Sequence, residues 1–355
     1  MNRPQVCLSV AFSAALLLGS APALGALDRA QLTRLSVSVV KVEATDDDAR
    51  MSLGSGVAVA PERIVTNCHV TRAAEQVFIV HRGLRWRAVA QSSDTEHDLC
   101  VLHVPGLDAS TANLGATRAL HVGEPVWAFG FEGGVRLQVR SGIVRALHAY
   151  DDGWVVESTT PFTSGASGGA LFDGEGRLAA ILTYRLRGDR RSYFSVPVEW
   201  FQQRMQAEHF YVDVMPLPPP APFWERAGVD LPFFLRAHQL ELGGDWNALV
   251  LLTEQWCEAD ASNAEAWLFR GRGLTQTRDL SAAQAALERA LELDPISASA
   301  WLQLGRLSAQ RGARQKAQVA LEHLSAFSPA LARCFALEIT LESDDDGDAE
   351  DCSAL

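Results

Sequence analysis

Residues 160–176 read TPFTSGASGGALFDGEG, and the meaning of Ser167 within them decides what kind of protein this is. Gly/Ser clusters are most often turns or linkers. Gly165, Ser167 and Gly169 also satisfy G-x-S-x-G, the pattern of a serine on a strand-to-helix elbow. A third reading is a serine held for attack within an all-β frame. A serine hydroxyl is a poor nucleophile until a base takes its proton. That base is usually a histidine, and it needs a carboxylate to fix its tautomer and orientation. A nucleophilic Ser167 therefore requires both partners elsewhere in the chain.

Both are found upstream. Residues 54–73 read GSGVAVAPERIVTNCHVTRA: two short strands joined by a turn, with His69 at the end of the second and a short helical turn after it. Residues 92–104 read SSDTEHDLCVLHV, where Asp98 opens an apolar strand from Leu99 to Val104. The chain order is His69, Asp98, Ser167, whereas α/β-hydrolases run Ser, Asp, His. Ser167 is followed by two glycines, a short strand ALF and a tight turn, not by a helix. The elbow reading fails on both counts. His81, His97, His103, His121 and His148 lie in the same region but lack the small-residue strand context of His69. His97, the nearest rival, sits in a turn before Asp98. Taken singly, His69 fits a satisfied strand-end histidine and Asp98 a turn cap; the three in order point to chemistry.

Around these motifs the chain from about residue 33 to 200 is dense in short Val/Ile/aromatic runs parted by turns such as Asp151-Asp152-Gly153. That pattern predicts antiparallel barrels or a sandwich. Val198–Phe210 predicts one closing helix. MPLPPPAPF at 215–223 is a stiff proline-rich linker that continues neither a helix nor a central strand. Beyond it the chain is rich in Ala, Leu, Glu and Arg, and it repeats. Trp267, Gly271, Ala283 and Leu287 recur 34 positions later as Trp301, Gly305, Ala317 and Leu321, and Pro295 and Pro329 follow the two copies. Period and pattern match tetratricopeptide repeats, with Arg270, Leu274 and Ser308 as departures. A weaker helical pair at 231–256, broken by Gly243-Gly244, reads as a degenerate first repeat. Ordinary amphipathic hairpins aligned by chance are the alternative.

The ends differ from the body. Arg3, an apolar run from Val6 to Leu18 and small residues at 21–25 predict a cleaved secretory signal over 1–25; the run is short for a membrane anchor. The acidic run from Glu342 to Asp351 reads as a solvated tail. A net charge of −12 disfavours nucleic acid as a partner. No internal apolar run is long enough to span a membrane. No metal-ligand spacing is present, and no metal or cofactor is expected. The expected divisions are a signal at 1–25, a β domain at 33–210, a linker at 211–228, helical repeats at 229–330 and an acidic tail at 341–355.

Residues 33–208 resemble a trypsin-like serine protease domain of the compact bacterial type related to the HtrA proteases. GSGVAVA, IVTNCHV around His69, HDLCVLHV around Asp98 and SGASGGALFDGEGRLAAILTY around Ser167 carry the resemblance. It implies an all-β double barrel of two six-stranded units with the active site in the cleft between them. It implies peptide-bond hydrolysis with Ser167 as nucleophile, His69 as base and Asp98 as the orienting carboxylate. Backbone N–H groups of Gly165 and Ser167 would form the oxyanion hole. Leu182, Thr183 and Tyr184 would line the substrate strand, and Thr160–Ser164, including Thr163, a wall of the specificity pocket. No acidic residue lies in TTPFTSG, which disfavours a Lys/Arg preference. A PDZ-like region, part of the HtrA plan, is replaced by the helical repeats, so PDZ regulation does not carry over.

Removal of the signal leaves Cys68, Cys100, Cys257, Cys334 and Cys352, an odd number in an oxidising compartment. Cys68 adjoins His69, and Cys100 lies two residues past Asp98. Contact between His69 and Asp98 would bring the thiols together, so a Cys68–Cys100 disulfide is expected; two buried free thiols are the alternative. The pairing of the other three stays open. In the repeats, Arg272 and Arg306 each lie five residues past the repeat tryptophan, at a groove position. Two guanidinium forks there predict recognition of an acidic or C-terminal-carboxylate peptide, with the acidic tail as a competitor in cis. Solvated surface charge is the alternative. The expected protein is an exported serine endopeptidase whose repeats recruit a partner or substrate. The second reading is a protease fold kept as a binding scaffold without turnover.

Overall fold

The computed structural model describes residues 27–186, 192–205, 211–217 and 221–340. The expected signal and acidic tail lie outside the described residues.

A short helix, α1 (Arg29–Ser36), starts on a capping box in which Asp28 and Gln31 bond each other's backbone N–H. The first β layer comprises β1 (Val39–Thr45), β2 (Met51–Ala60), β3 (Arg63–Thr66), β4 (Gln76–His81), β5 (Leu84–Arg87), β6 (Ala90–Asp94) and β7 (Leu99–His103). In β4, QVFIVH buries alternate residues, as a strand with one core face must. The second layer comprises β8 (Pro125–Glu132), β9 (Arg136–Tyr150), β10 (Gly153–Ser158), β11 (Ala170–Phe172), β12 (Leu178–Leu186) and β13 (Ser192–Pro197). These six close into a barrel in the order β10-β13-β12-β11-β8-β9. The first layer does not close. It is a sheet in the order β14-β6-β7-β3-β2-β1-β4-β5, and its outermost strand, β14 (Val212–Asp213), comes from the linker. Of the two expected six-stranded units, one is a closed six-stranded barrel and the other a half-barrel sheet of eight strands. The closing helix is α3, Glu199–Met205.

The helical region runs as α4 (Phe233–Leu242), α5 (Trp246–Ala259), α6 (Ala264–Gln276), α7 (Leu280–Leu293), α8 (Ala298–Gln310), α9 (Arg314–Phe327) and α10 (Pro329–Thr340). Asp245, Asn263, Asp279 and Ser297 cap four of these helices by accepting the N–H three residues on. Each such cap contributes about 1 kcal/mol. The recurring glycines have a packing reason: a Cβ at Gly271 would lie 2.6 Å from Leu287, and one at Gly305 2.6 Å from Phe335. Small residues there let paired helices approach closely.

The β layers and the repeats share one apolar core. A single buried cluster runs from Val39, Phe129 and Phe194 through Phe223 to Phe234, Leu249 and Phe269. Beside it a buried polar cluster ties the closed barrel to the repeats. His148 on β9 bonds Glu265 of α6 through Nδ1 at 2.5 Å and approaches Glu157 of β10 at 3.4 Å through Nε2. His238 of α4 meets Ser192 Oγ of β13 at 2.7 Å. Burial by itself would lower the His148 pKa, but the carboxylates of Glu265 and Glu157 raise it to about 9. Burial lowers that of His238, against the pull of Glu157.

A cavity of about 1580 Å³ opens between the closed barrel and the repeats, and both Arg272 and Arg306 line it. Each is already paired: Arg272 with Glu241 at 3.4 Å, and Arg306 with Glu338. No helix among the described residues is long and apolar enough to cross a membrane.

Candidate active site

His69 lies in a single helical turn, α2 (Cys68–Thr71), directly after β3, and not at the strand end that the sequence predicts. Asp98 sits just before β7 with a left-handed φ of 59° and no solvent exposure. Its two oxygens divide their work. Oδ1 accepts the His69 backbone N–H at 2.7 Å, and Oδ2 faces His69 Nδ1 at 2.6 Å. A carboxylate so placed fixes which imidazole nitrogen carries the proton and leaves Nε2 free for a reacting group.

The junction is braced from several sides. Cys68 and Cys100 form the expected disulfide, with Cα atoms 4.9 Å apart. Asn67 Nδ2 donates to the Asp98 carbonyl at 2.9 Å and to Thr183 Oγ1 at 3.2 Å. Cys334 also takes part in a disulfide, while Cys257 is a free, buried thiol. His97 belongs to a different constellation: it lies between Asp94 at 2.9 Å and Asp151 at 2.7 Å and stacks on Trp200.

The serine loop is pressed against this turn. Gly168 has a φ of 85°, and a Cβ there would lie 2.1 Å from the Ser55 carbonyl and 2.4 Å from Thr66 Oγ1. Gly165 has a φ of 93°, and a Cβ there would meet the Phe131 carbonyl at 2.5 Å. Only glycine fits either position. Ser55 of the GSG motif holds the loop: its N–H donates to the Ser167 carbonyl, its hydroxyl to the Gly165 carbonyl, both at 2.8 Å. The backbone N–H groups of Gly165 and Ser167 make no hydrogen bond among the described residues. Ser167 Oγ donates to the Thr183 carbonyl at 3.3 Å, and no hydrogen bond joins it to His69 among the described residues.

Of the expected substrate strand, Leu182 and Thr183 are buried in β12, and Tyr184 is enclosed between two rings. Phe194 stacks on one side at 4.7 Å and Trp224 on the other at 5.1 Å. Thr163 lies in the loop before the serine, where its carbonyl accepts the Ala166 N–H. Arg185 Nη1 reaches the Phe162 carbonyl of the same wall at 3.2 Å.

Ser55, Asn67 and Trp224 are contributors that the sequence reading passes over. The small-residue GSG run was a signal for Ser55. For Trp224, in a segment read as a linker, there was none. Its indole N–H donates to Asp98 Oδ2 at 3.2 Å.

Residues 54–181 match the family model described as trypsin-like peptidase domain, and residues 264–307 match the tetratricopeptide repeat. A probable periplasmic serine endoprotease DegP-like of Halomonas elongata is 30% identical over 161 residues, 43% of this chain and 34% of that protein. The serine endoprotease DegS of Haemophilus influenzae is 30% identical over 156 residues, 42% of this chain and 46% of that protein. The chain therefore spans between about a third and a half of the length of these relatives. Among solved structures, an HtrA-type protease AlgW with tripeptide is 29% identical, with a TM-score of 0.47, covering 50% of this chain and 63% of that one.

Proposed function

We propose that this chain, which carries a trypsin-like peptidase domain followed by a tetratricopeptide repeat region, is an exported serine endopeptidase. The observation that carries the reading is the fully buried Asp98, bonded twice to His69 beside a serine loop whose glycines tolerate no side chain. In catalysis Ser167 Oγ turns from the Thr183 carbonyl toward His69 Nε2 and attacks the peptide carbonyl as the imidazole takes its proton. The oxyanion is held by the N–H groups of Gly165 and Ser167, each worth roughly 3–4 kcal/mol in the transition state. His69 then protonates the leaving amine, and water, activated by the same imidazole, releases the acyl group from Ser167. Asp98 stabilises the imidazolium throughout.

Export fits the signal-like residues 1–25, the two disulfide-bonded regions and the periplasmic names of the relatives. The repeats recruit a polypeptide partner or substrate. If Arg272 and Arg306 take a peptide carboxylate, that carboxylate must displace Glu241 and Glu338.

One observation favours the second reading, a scaffold without turnover: the Ser167 hydroxyl bonds Thr183 and not His69. A serine-directed phosphonate separates the two. The peptidase becomes labelled at Ser167, located by peptide mass mapping, and Ser167→Ala is neither labelled nor active on casein while melting as the wild type does. Absence of label on the wild type, or turnover by Ser167→Ala, overturns the peptidase reading.

A further inference from the structure

We propose that Trp224, which lies outside both β layers in the segment leading to the repeats, is a positioning residue for the triad: its indole N–H holds the Asp98 carboxylate in the orientation that His69 requires. The proposal rests on the peptidase reading for its kinetic consequences, but not for the contact itself.

Asp98 has no solvent exposure, so no bulk water satisfies its carboxylate. Oδ1 is taken by the His69 backbone N–H and one site on Oδ2 by the His69 ring. The Trp224 indole supplies the remaining donor, at 3.2 Å from Oδ2. Among the described residues no other side chain donates to this carboxylate. Thr183 is within reach of Asn67, yet its hydroxyl donates to the Ile181 carbonyl at 2.8 Å. A carboxylate held by His69 alone could rock about its Cβ–Cγ bond; a third donor from a different direction stops that rotation.

The indole is itself held. Its ring lies parallel to Tyr184, at 5.1 Å and 11°, and its edge relation to the His69 ring is 5.5 Å and 85°. The neighbours of Trp224 are fastened to the two segments that carry its triad partners. Phe223, fully buried, donates its N–H to the Glu96 carbonyl at 3.0 Å, and Arg226 pairs with the Glu96 carboxylate. Glu225 pairs with Arg72 at 2.8 Å, and the Leu217 N–H reaches the Arg72 carbonyl at 2.7 Å. Glu96 precedes Asp98 by two residues, and Arg72 follows His69 by three. The connecting segment therefore clips the His69 turn to the Asp98 loop, with Trp224 at its centre.

The experiment uses the mature full-length chain and Trp224→Phe, which keeps the stack on Tyr184 and removes the N–H. Loss of a donor to a buried charged acceptor should lower kcat on a peptide substrate about tenfold and leave KM within about twofold. A carboxylate with one donor fewer favours the protonated imidazole more strongly, so the acid limb of the kcat/KM profile should move to higher pH. The downfield Nδ1 proton of His69, followed by NMR, should titrate upward in the same way. Arg226→Ala, which unfastens the segment without touching the indole, should lower kcat in the same direction by a smaller factor. Unchanged kcat, acid limb and proton titration in Trp224→Phe overturn the proposal. So does a rise in activity, which would make the ring an obstruction beside Tyr184. If wild type takes no phosphonate at Ser167, the peptidase reading falls on its own, and the NMR titration still decides whether Trp224 acts on the Asp98–His69 pair.

Discussion

Neutralising one carboxylate at the seam between barrel and repeats should weaken the alkaline sensitivity of this protein. His148 is 1% exposed and Glu157 2%, and Glu265 of α6 closes the cluster at 2.5 Å from the imidazole. The His148 pKa rises from an ordinary 6.5 to about 9, burial acting against it and Glu265 and Glu157 overcoming that. A raised folded-state pKa contributes stability that is complete below the unfolded value and is lost as the pH climbs through the folded one. The window is therefore pH 6.5 to about 9. A difference of this size corresponds to about 3 kcal/mol. Glu265→Gln keeps a hydrogen-bonding partner for Nδ1 but removes the charge, so the His148 pKa should fall and the pH slope should flatten. His97 is also raised, against its burial, by Asp94 and Asp151. It contributes equally in both proteins and cancels in the difference. Urea unfolding, followed by tryptophan fluorescence and circular dichroism across this window, measures the two slopes. Parallel slopes for wild type and Glu265→Gln would refute the argument, because the imidazolium would then not depend on Glu265.

Three further outcomes are expected. Replacing Cys68 and Cys100 with alanine removes a crosslink of sequence separation 32 and should lower stability by roughly 3–4 kcal/mol; equal melting of variant and oxidised wild type contradicts this. Gly165→Ala places a Cβ 2.5 Å from the Phe131 carbonyl at a φ of 93° and should slow phosphonate labelling about a hundredfold or more through a displaced oxyanion donor; an unaltered rate removes Gly165 from the site. Reversing Arg272 and Arg306 to glutamate sets each against Glu241 and Glu338 and should abolish binding of an acidic test peptide measured by calorimetry at low salt; unchanged affinity refutes the groove.

What the sequence made legible follows from how local each signal is. The strands announce themselves as short Val/Ile/aromatic runs between turns and the repeats by period, because both patterns are written within short lengths of chain. His69, Asp98 and Ser167 could be singled out because each sits in a short motif of small and apolar residues, and the structure joins the first two. The disulfide could be expected since its cysteines flank two residues already paired by argument. His69 in a helical turn was not legible: four residues are too few for a periodic signal. The open edge of the first sheet was not legible, because its outermost strand β14 comes from a proline-rich run, and strand pairing there depends on where the chain returns. Trp224 was invisible for the same reason. Its role depends on a tertiary contact with Asp98, 126 positions away, and nothing in FWER marks it.

The apolar cluster that runs from Phe129 through Phe223 into Phe234 and Phe269 has a consequence for how such a chain can change over generations. Where two domains touch only through a flexible tether, either is replaceable by recombination. Here separating the two halves would bare the Phe194 face of the barrel and the inner face of α4 together, leaving each half with surface that water disfavours. The repeats and the peptidase domain therefore form a single unit of stability. A residue lost from α4 is felt in β13, since His238 meets both Ser192 and Phe194 there.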